Sequence, residues 1–200
     1  MKSLADLPLG QILEQVAAQT PSPGGGSSSA LACALAAGLA EMAAGFTLAR
    51  DEYAGRHERM AVLRTRAGEL RAEALALADA ELHVYEAVLD ALREPEDAPD
   101  RSERLDAALS DAADSPLAVA RVAAEVGELA SEAARTGNRN LRGDAITGAL
   151  LAEAACAAAA RLADINLAGR PADPRREEVV ELPARALQAR LTALSATRDV

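Results

Sequence analysis

One acidic residue stands where the sequence pattern asks for a leucine. Met60, Leu63, Ala67, Leu70, Ala74, Leu77, Glu81, Val84 and Val88 follow one another in steps of three and four, the spacing of a single helix face. Leu77, Ala78, Val84 and Tyr85 are the helical neighbours of Glu81. Desolvation raises the pKa of a carboxyl held among apolar groups, which suits a general acid working near neutral pH. The plainer alternative is a glutamate paired with an arginine of another helix, or one at the bundle's edge. Asp79 and His83 lie on a different face, four residues apart, and are expected as a solvated pair; His57, among Arg56, Glu58 and Arg59, reads as surface.

Two further segments have the chemistry of a binding site. Pro23-Gly24-Gly25-Gly26-Ser27 places consecutive glycines at a helix start, where converging backbone N–H groups and the helix dipole favour a carboxylate or phosphate. The same residues also read as a flexible turn with a serine cap, and no lysine follows to make a phosphate loop. Asn138-Arg139-Asn140-Leu141-Arg142-Gly143-Asp144 gathers amides and guanidinium groups ahead of another helix, with Arg135 nearby; this suits a planar polar ligand bearing carboxylates. Asp144 directly follows a glycine and is also a ready N-cap. Asn166, near the far end of the same helix, offers a cap or a second polar contact. Glu41 faces the small residues Ala37, Gly38, Ala44 and Gly45 and receives no catalytic role. With two histidines and the distant cysteines Cys33 and Cys156, a zinc site has little support and no metal is expected.

The elements that must position these groups are helices. Half the residues are apolar but only 2% are aromatic, so the core must be built from Ala and Leu, and Ala faces let helices approach closely. The pattern predicts a first helix from Leu4 to Ala18 and, past the Pro/Gly turn, a second to Arg50 capped by Ser27, Ser28 or Ser29. A long third runs from Arg56 to Arg93 and a short fourth from Arg101 to Ala112. Asp114-Ser115-Pro116 opens a fifth helix as cap and first-turn proline, and Gly137 ends it in the left-handed conformation. A sixth ends near Leu167, and the tail from Asp173 to Val200 is expected to hold one or two short helices. Glu178-Val179-Val180-Glu181-Leu182 is the nearest approach to a strand pattern. The expected fold is all-α, an antiparallel bundle of about six long Ala-rich helices in one domain spanning residues 1–200.

Charge and cysteine use narrow the setting. A net charge of −10, with Lys2 the sole lysine, argues against nucleic acid as a partner. Two cysteines buried in apolar runs, and Met1 to Asp6 without a secretory apolar region, point to a reduced cytoplasmic protein. Ala30 to Ala49 and Ala145 to Ala160 invite a membrane reading, but each is mostly Ala and carries an acid, Glu41 or Glu153. They read as buried bundle helices, so no membrane is expected. Both are apolar around most of their circumference, which predicts a homodimer with the site near its two-fold interface.

Taken together, three segments resemble the cyclodeaminase/cyclohydrolase family of folate enzymes, which includes the C-terminal domain of formiminotransferase-cyclodeaminase and bacterial methenyltetrahydrofolate cyclohydrolases. They are Thr20-Pro21-Ser22-Pro23-Gly24-Gly25-Gly26-Ser27 with the helix through Met42, the acid-containing helix running into Tyr85-Glu86-Ala87-Val88-Leu89, and Gly137-Asn138-Arg139-Asn140 through Gly143-Asp144 to Ile165-Asn166-Leu167. The resemblance implies an all-α dimer that binds a one-carbon derivative of tetrahydrofolate and needs neither metal nor redox cofactor. Such enzymes close formimino-tetrahydrofolate to the methenyl form with loss of ammonia, or hydrolyse the methenyl form to formyl-tetrahydrofolate. Three positions depart from the family pattern: Glu81 stands for the usual Asp, Gly143 for a Ser, and Leu162 for an Asn. On this basis Glu81 is the leading acid/base with Asp144 as the second catalytic candidate. Asn138, Asn140, Arg142, Asn166 and the turn Pro23, Gly24, Gly25, Gly26 and Ser27 would bind the folate. The competing class is a non-catalytic helical protein that keeps the fold and binds a ligand or partner.

Overall fold

Alanine decides how closely the helices pack. In a computed structural model that describes residues 3–196, eight α-helices follow in order: α1 (Leu9–Ala17), α2 (Gly25–Leu48), α3 (His57–Val84), α4 (Glu86–Arg93), α5 (Arg101–Asp111), α6 (Asp114–Thr136), α7 (Arg142–Asn166) and α8 (Arg175–Ser195). Among the described residues there is no strand. Met1, Lys2 and the tail end from Thr197 to Val200 lie outside them. α2 packs on α3, α6 and α7, and α8 closes the bundle against α6 and α7. Ala30, Ala36, Ala37 and Ala40 of α2 and Ala149, Ala152 and Ala159 of α7 are fully buried. A Cβ on Gly148 would come within 3.1 Å of the Ala36 carbonyl, so a side chain there would push α2 and α7 apart. Leu162 touches the start of α2 at Gly25 and Gly148 touches its middle at Ala36 and Leu39, so α2 and α7 are antiparallel.

Several local expectations are corrected. The first helix is split: a 3-10 turn (Leu4–Asp6) precedes α1. The long third helix breaks at Tyr85. There the Leu82 carbonyl, freed from the helix ladder, accepts a hydrogen bond from Ser22 Oγ at 3.2 Å. α6 already begins at Asp114, which puts Pro116 inside its first turn. Gly137 is extended (φ −83°, ψ −168°) and not left-handed; what it supplies is room, since a Cβ would lie 2.6 Å from the Ala133 carbonyl and 3.0 Å from Thr47 Oγ1. The tail forms one long helix, α8, with Pro183 inside it. Val179, Leu182, Ala186, Ala189 and Ala193 repeat at steps of three and four along it, a helical seam that outweighs both the strand-like run and the proline. Arg121 with Glu178 and Arg185 with Glu128 tie α8 to α6.

Candidate functional site

The glycine turn is docked on the end of α3 by two hydroxyls. Ser22 Oγ donates to the Leu82 carbonyl, and Ser27 Oγ, buried, donates to the Ala78 carbonyl at 2.9 Å. α2 starts at Gly25 with Gly24 as its extended N-cap (φ −117°, ψ −151°). The serines therefore do not cap the helix as expected. Ser28 and Ser29 instead bond back to the carbonyls of Gly24 and Gly25 at 2.8 Å. The amides of Gly25, Gly26 and Ser27 are left without a carbonyl partner, the usual state of a helix's first turn. Gly26 lies directly on Glu81, and a Cβ at position 26 would overlap the Glu81 carboxyl. The acid can meet the helix start only because residue 26 has no side chain.

Around this contact is a cleft of about 280 Å³. Gly24, Gly25, Gly26, Ser27, Glu81 and Asn166 of the expected site all line it, with Leu162, Ile165, Val84 and Tyr85 as its apolar wall. Pro23 is buried beneath the turn and does not line it. Burial pushes the Glu81 carboxyl above the ordinary carboxylate range, and the nearby Ser115 hydroxyl pulls the other way. Glu81 Oε1 and Ser115 Oγ are both buried, and neither achieves hydrogen-bond geometry with any partner among the described residues. No Arg, Lys or His lines the cleft, so Glu81 is not the arginine-paired structural acid of the plainer alternative. An uncompensated carboxyl in such a place costs stability and holds its proton to higher pH. Asn166 Nδ2 donates to the Ala112 carbonyl at 2.9 Å, which fixes the amide at the rim.

The other expected cluster lies at the opposite end of α2 and α7. Asn138 is buried: its N–H donates to Thr47 Oγ1 at 2.8 Å, and its Oδ1 accepts from the Asn140 N–H at 3.0 Å. The Arg139 N–H donates to the Tyr53 hydroxyl at 3.1 Å, and Arg56 donates to the Thr136 carbonyl. Glu52, Tyr53, Arg56, Arg139 and Asn140 line an open shelf of about 590 Å³. Arg142 and Asp144 lie in the first turn of α7, half-buried, and the N-cap there is Leu141, not Asp144. From Gly26 to Thr47 along α2 is about 30 Å at 1.5 Å per residue. Within one chain, therefore, Glu81 and Asp144 share no site.

Asp79 and His83 do not pair. Asp79 accepts from Ser3 Oγ at 2.6 Å and the Leu4 N–H at 2.7 Å, pinning the N-terminal turn to α3, while His83 meets Glu86 at 2.9 Å. Glu41 is ion-paired with Arg71 at 2.9 Å. Cys33 and Cys156 are free and buried, and burial pushes both thiols up to about 12. No three of His, Cys, Asp or Glu are grouped to hold a metal among the described residues. Sequence reasoning missed Ser115 and Tyr53: the first was visible only as a cap beside Pro116, the second only as part of a turn.

The profile of the formiminotransferase-cyclodeaminase family matches residues 8–181. The chain belongs to this family. A methenyltetrahydrofolate cyclohydrolase of Methylorubrum extorquens is 29% identical over 78% of this chain and 77% of its own length. The formimidoyltransferase-cyclodeaminase of Sus scrofa is 31% identical over 72% of the chain, which spans only 27% of that longer protein. The crystal structure of a formiminotetrahydrofolate cyclodeaminase from Thermotoga maritima matches with a TM-score of 0.87 at 27% identity, covering 97% of both chains. The glycine turn and the acid-bearing helix that carry the resemblance in the sequence are the two elements that meet at Gly26 and Glu81.

Proposed function

We propose that this protein interconverts one-carbon forms of tetrahydrofolate, as a methenyltetrahydrofolate cyclohydrolase or a formiminotetrahydrofolate cyclodeaminase, with Glu81 as the general acid/base. The observation that carries the proposal is the half-buried Glu81 carboxyl, raised by desolvation and set against the side-chain-free start of α2. In hydrolysis, water adds to the methenyl carbon between two folate nitrogens. Glu81 takes a proton from that water and returns one to the nitrogen that leaves as the C–N bond breaks. In cyclisation, a folate nitrogen adds to the formimino carbon and the same carboxyl hands a proton to departing ammonia. Both sequences need a group able to give and take a proton near neutral pH, and neither needs a further cofactor.

The free amides of Gly25, Gly26 and Ser27, the Asn166 amide and the apolar wall at Leu162 and Ile165 suit a flat, polar-edged ring system. We place the protein in the cytoplasm as a homodimer without nucleic-acid or membrane partners. α2, and α7 with the turn before it, have the length and mean hydropathy (1.7 and 1.4) of membrane spans. Here they carry a bundle core on one side and an uncovered apolar face on the other. Purified protein assayed in parallel on methenyl- and formimino-tetrahydrofolate tests the proposal. Loss of the methenyl chromophore identifies the cyclohydrolase and its appearance with ammonia the cyclodeaminase. Activity on neither would support the non-catalytic alternative.

A further inference from the structure

Hydroxyls on the helices of this chain have a default partner. Ser28, Ser29, Thr47, Thr136, Thr147 and Thr192 each donate to the carbonyl four residues back, at 2.8 or 2.9 Å. Ser115, in the first turn of α6, does not: its Oγ is buried and bonded to nothing among the described residues. A buried polar atom left in that state has a specific reason. Its polar neighbour is the Glu81 carboxyl, which the hydroxyl is close enough to perturb.

The two oxygens of that carboxyl are not equivalent. Oε2 is the atom set against Gly26 on the cleft lining, whereas Oε1 is buried and, like Ser115 Oγ, makes no bond. The other small polar side chains around the turn are already engaged. Ser22 donates to the Leu82 carbonyl, Ser27 to that of Ala78, Ser28 to that of Gly24 and Asn166 to that of Ala112. No element packed around Glu81 brings a countercharge. α2 and α7 contribute no titratable group to the cleft, Tyr85 is the only other one lining it, and Asp114 of α6 is exposed and ion-paired with Arg175 at 2.6 Å. An acid that gives up its proton here becomes an anion without a cation and needs a neutral donor. A serine hydroxyl can aim its hydrogen at the carboxylate and turn away when the carboxyl is protonated.

We infer that Ser115 is the positioning residue of the acid: its hydroxyl donates to Glu81 Oε1 when the carboxyl is ionised, which keeps Oε2 turned to the cleft as the oxygen that exchanges protons. This rests on the folate reading above and adds a residue to it. As the C–N bond breaks, the proton on Oε2 passes to the departing nitrogen and the electron pair of that O–H bond stays on Oε2. The negative charge is shared with Oε1, where the Ser115 O–H meets it. Serine keeps its own proton throughout. When a proton returns to Oε2, the hydroxyl is released. Ser115 therefore touches no substrate atom and acts through Glu81 alone.

Two measurements test it. Difference infrared spectroscopy of the free protein follows the carboxyl stretch of Glu81, assigned by its loss in Glu81→Gln. Ser115→Ala should move the titration midpoint of that band to higher pH, because the donor favouring the ionised form is gone. Ser115→Thr, which keeps the hydroxyl, should restore the wild-type midpoint. A midpoint that Ser115→Ala lowers or leaves in place overturns the inference. In turnover, Ser115→Ala should lower kcat about tenfold or more near neutral pH with KM changed less than about twofold. Its pH profile should move in the same direction as the titration, and Ser115→Thr should again restore both. A kcat loss that is uniform across pH and not rescued by threonine marks a purely structural serine and overturns the inference. If the wild type turns over neither folate while Ser115→Ala raises the midpoint and Ser115→Thr restores it, the pairing with Glu81 stands and the folate reading fails.

Discussion

The two ends of the α2–α7 pair are built from the same alanine-rich helices and do different things with polarity. At the Gly26 end a carboxyl is pressed between a helix start and an apolar wall, with no cation to compensate it. At the Thr47 end polar groups are either bonded into the frame, as Asn138 is, or left on an open shelf, as Asn140 is. The first environment shifts a proton equilibrium. The second holds charges in water. On the function proposed above, the poised acid is therefore sought at the Gly26 end and recognition of charge at the other.

The sharpest way to break this contrast is to neutralise the acid. Glu81→Gln should lower turnover of the active folate substrate by about a hundredfold or more with the helical circular dichroism unchanged; near-normal turnover would remove Glu81 from the chemistry. Gly26→Ala comes next. Its methyl would overlap the tip of a flexible side chain and no backbone atom, so Glu81 should swing aside. Turnover should drop roughly ten- to a hundredfold with little loss of stability, and Gly26→Ala should add almost nothing to Glu81→Gln, as expected for coupled neighbours. A drop that multiplies in the double variant would show that the two act separately.

At the other end the same substitution should do the reverse. A methyl on Gly137 meets the Ala133 backbone carbonyl at 2.6 Å, which cannot swing aside, so Gly137→Ala should cost about 1–3 kcal/mol in denaturant unfolding and leave Glu81's pH profile where it was. The smallest effect is thermal. Burial raises the folded pKa of Glu81 above its unfolded value, so the folded state holds the extra proton between those values. Stability then falls as pH rises through that window and stays lower above it. Glu81→Gln should therefore raise Tm by about 2–4 °C at neutral pH and give no gain below the ordinary carboxylate range. A gain that persisted at acid pH would place the cause in packing and not in charge.

Much of this was legible in the residues. The three-and-four seam of α3 singled out Glu81 because a helix face is periodic and a charge interrupts it. The glycine run stood out as a helix start able to hold an anion, but that Gly26 makes room for the Glu81 carboxyl shows only in the fold. The separation of Asp144 from Glu81 was not legible, since nothing local in the chain states that α2 and α7 run antiparallel with one cluster at each end. Helix ends misled for a related reason: serine hydroxyls that look like caps at Ser27 are drawn off by carbonyls of another helix. The tail, expected as one or two short helices, is one long helix because the seam from Val179 to Ala193 runs unbroken through Pro183.

The chain has two tyrosines and no tryptophan, and the fold assigns one to each end: Tyr85 lines the Glu81 cleft and Tyr53 the shelf beside Arg139. The protein thus carries two native optical reporters. Replacing either tyrosine by phenylalanine leaves ultraviolet emission from the other region alone. A pterin bound in the cleft would quench Tyr85 first, and titration of the two single-tyrosine proteins would show by light which end a ligand enters.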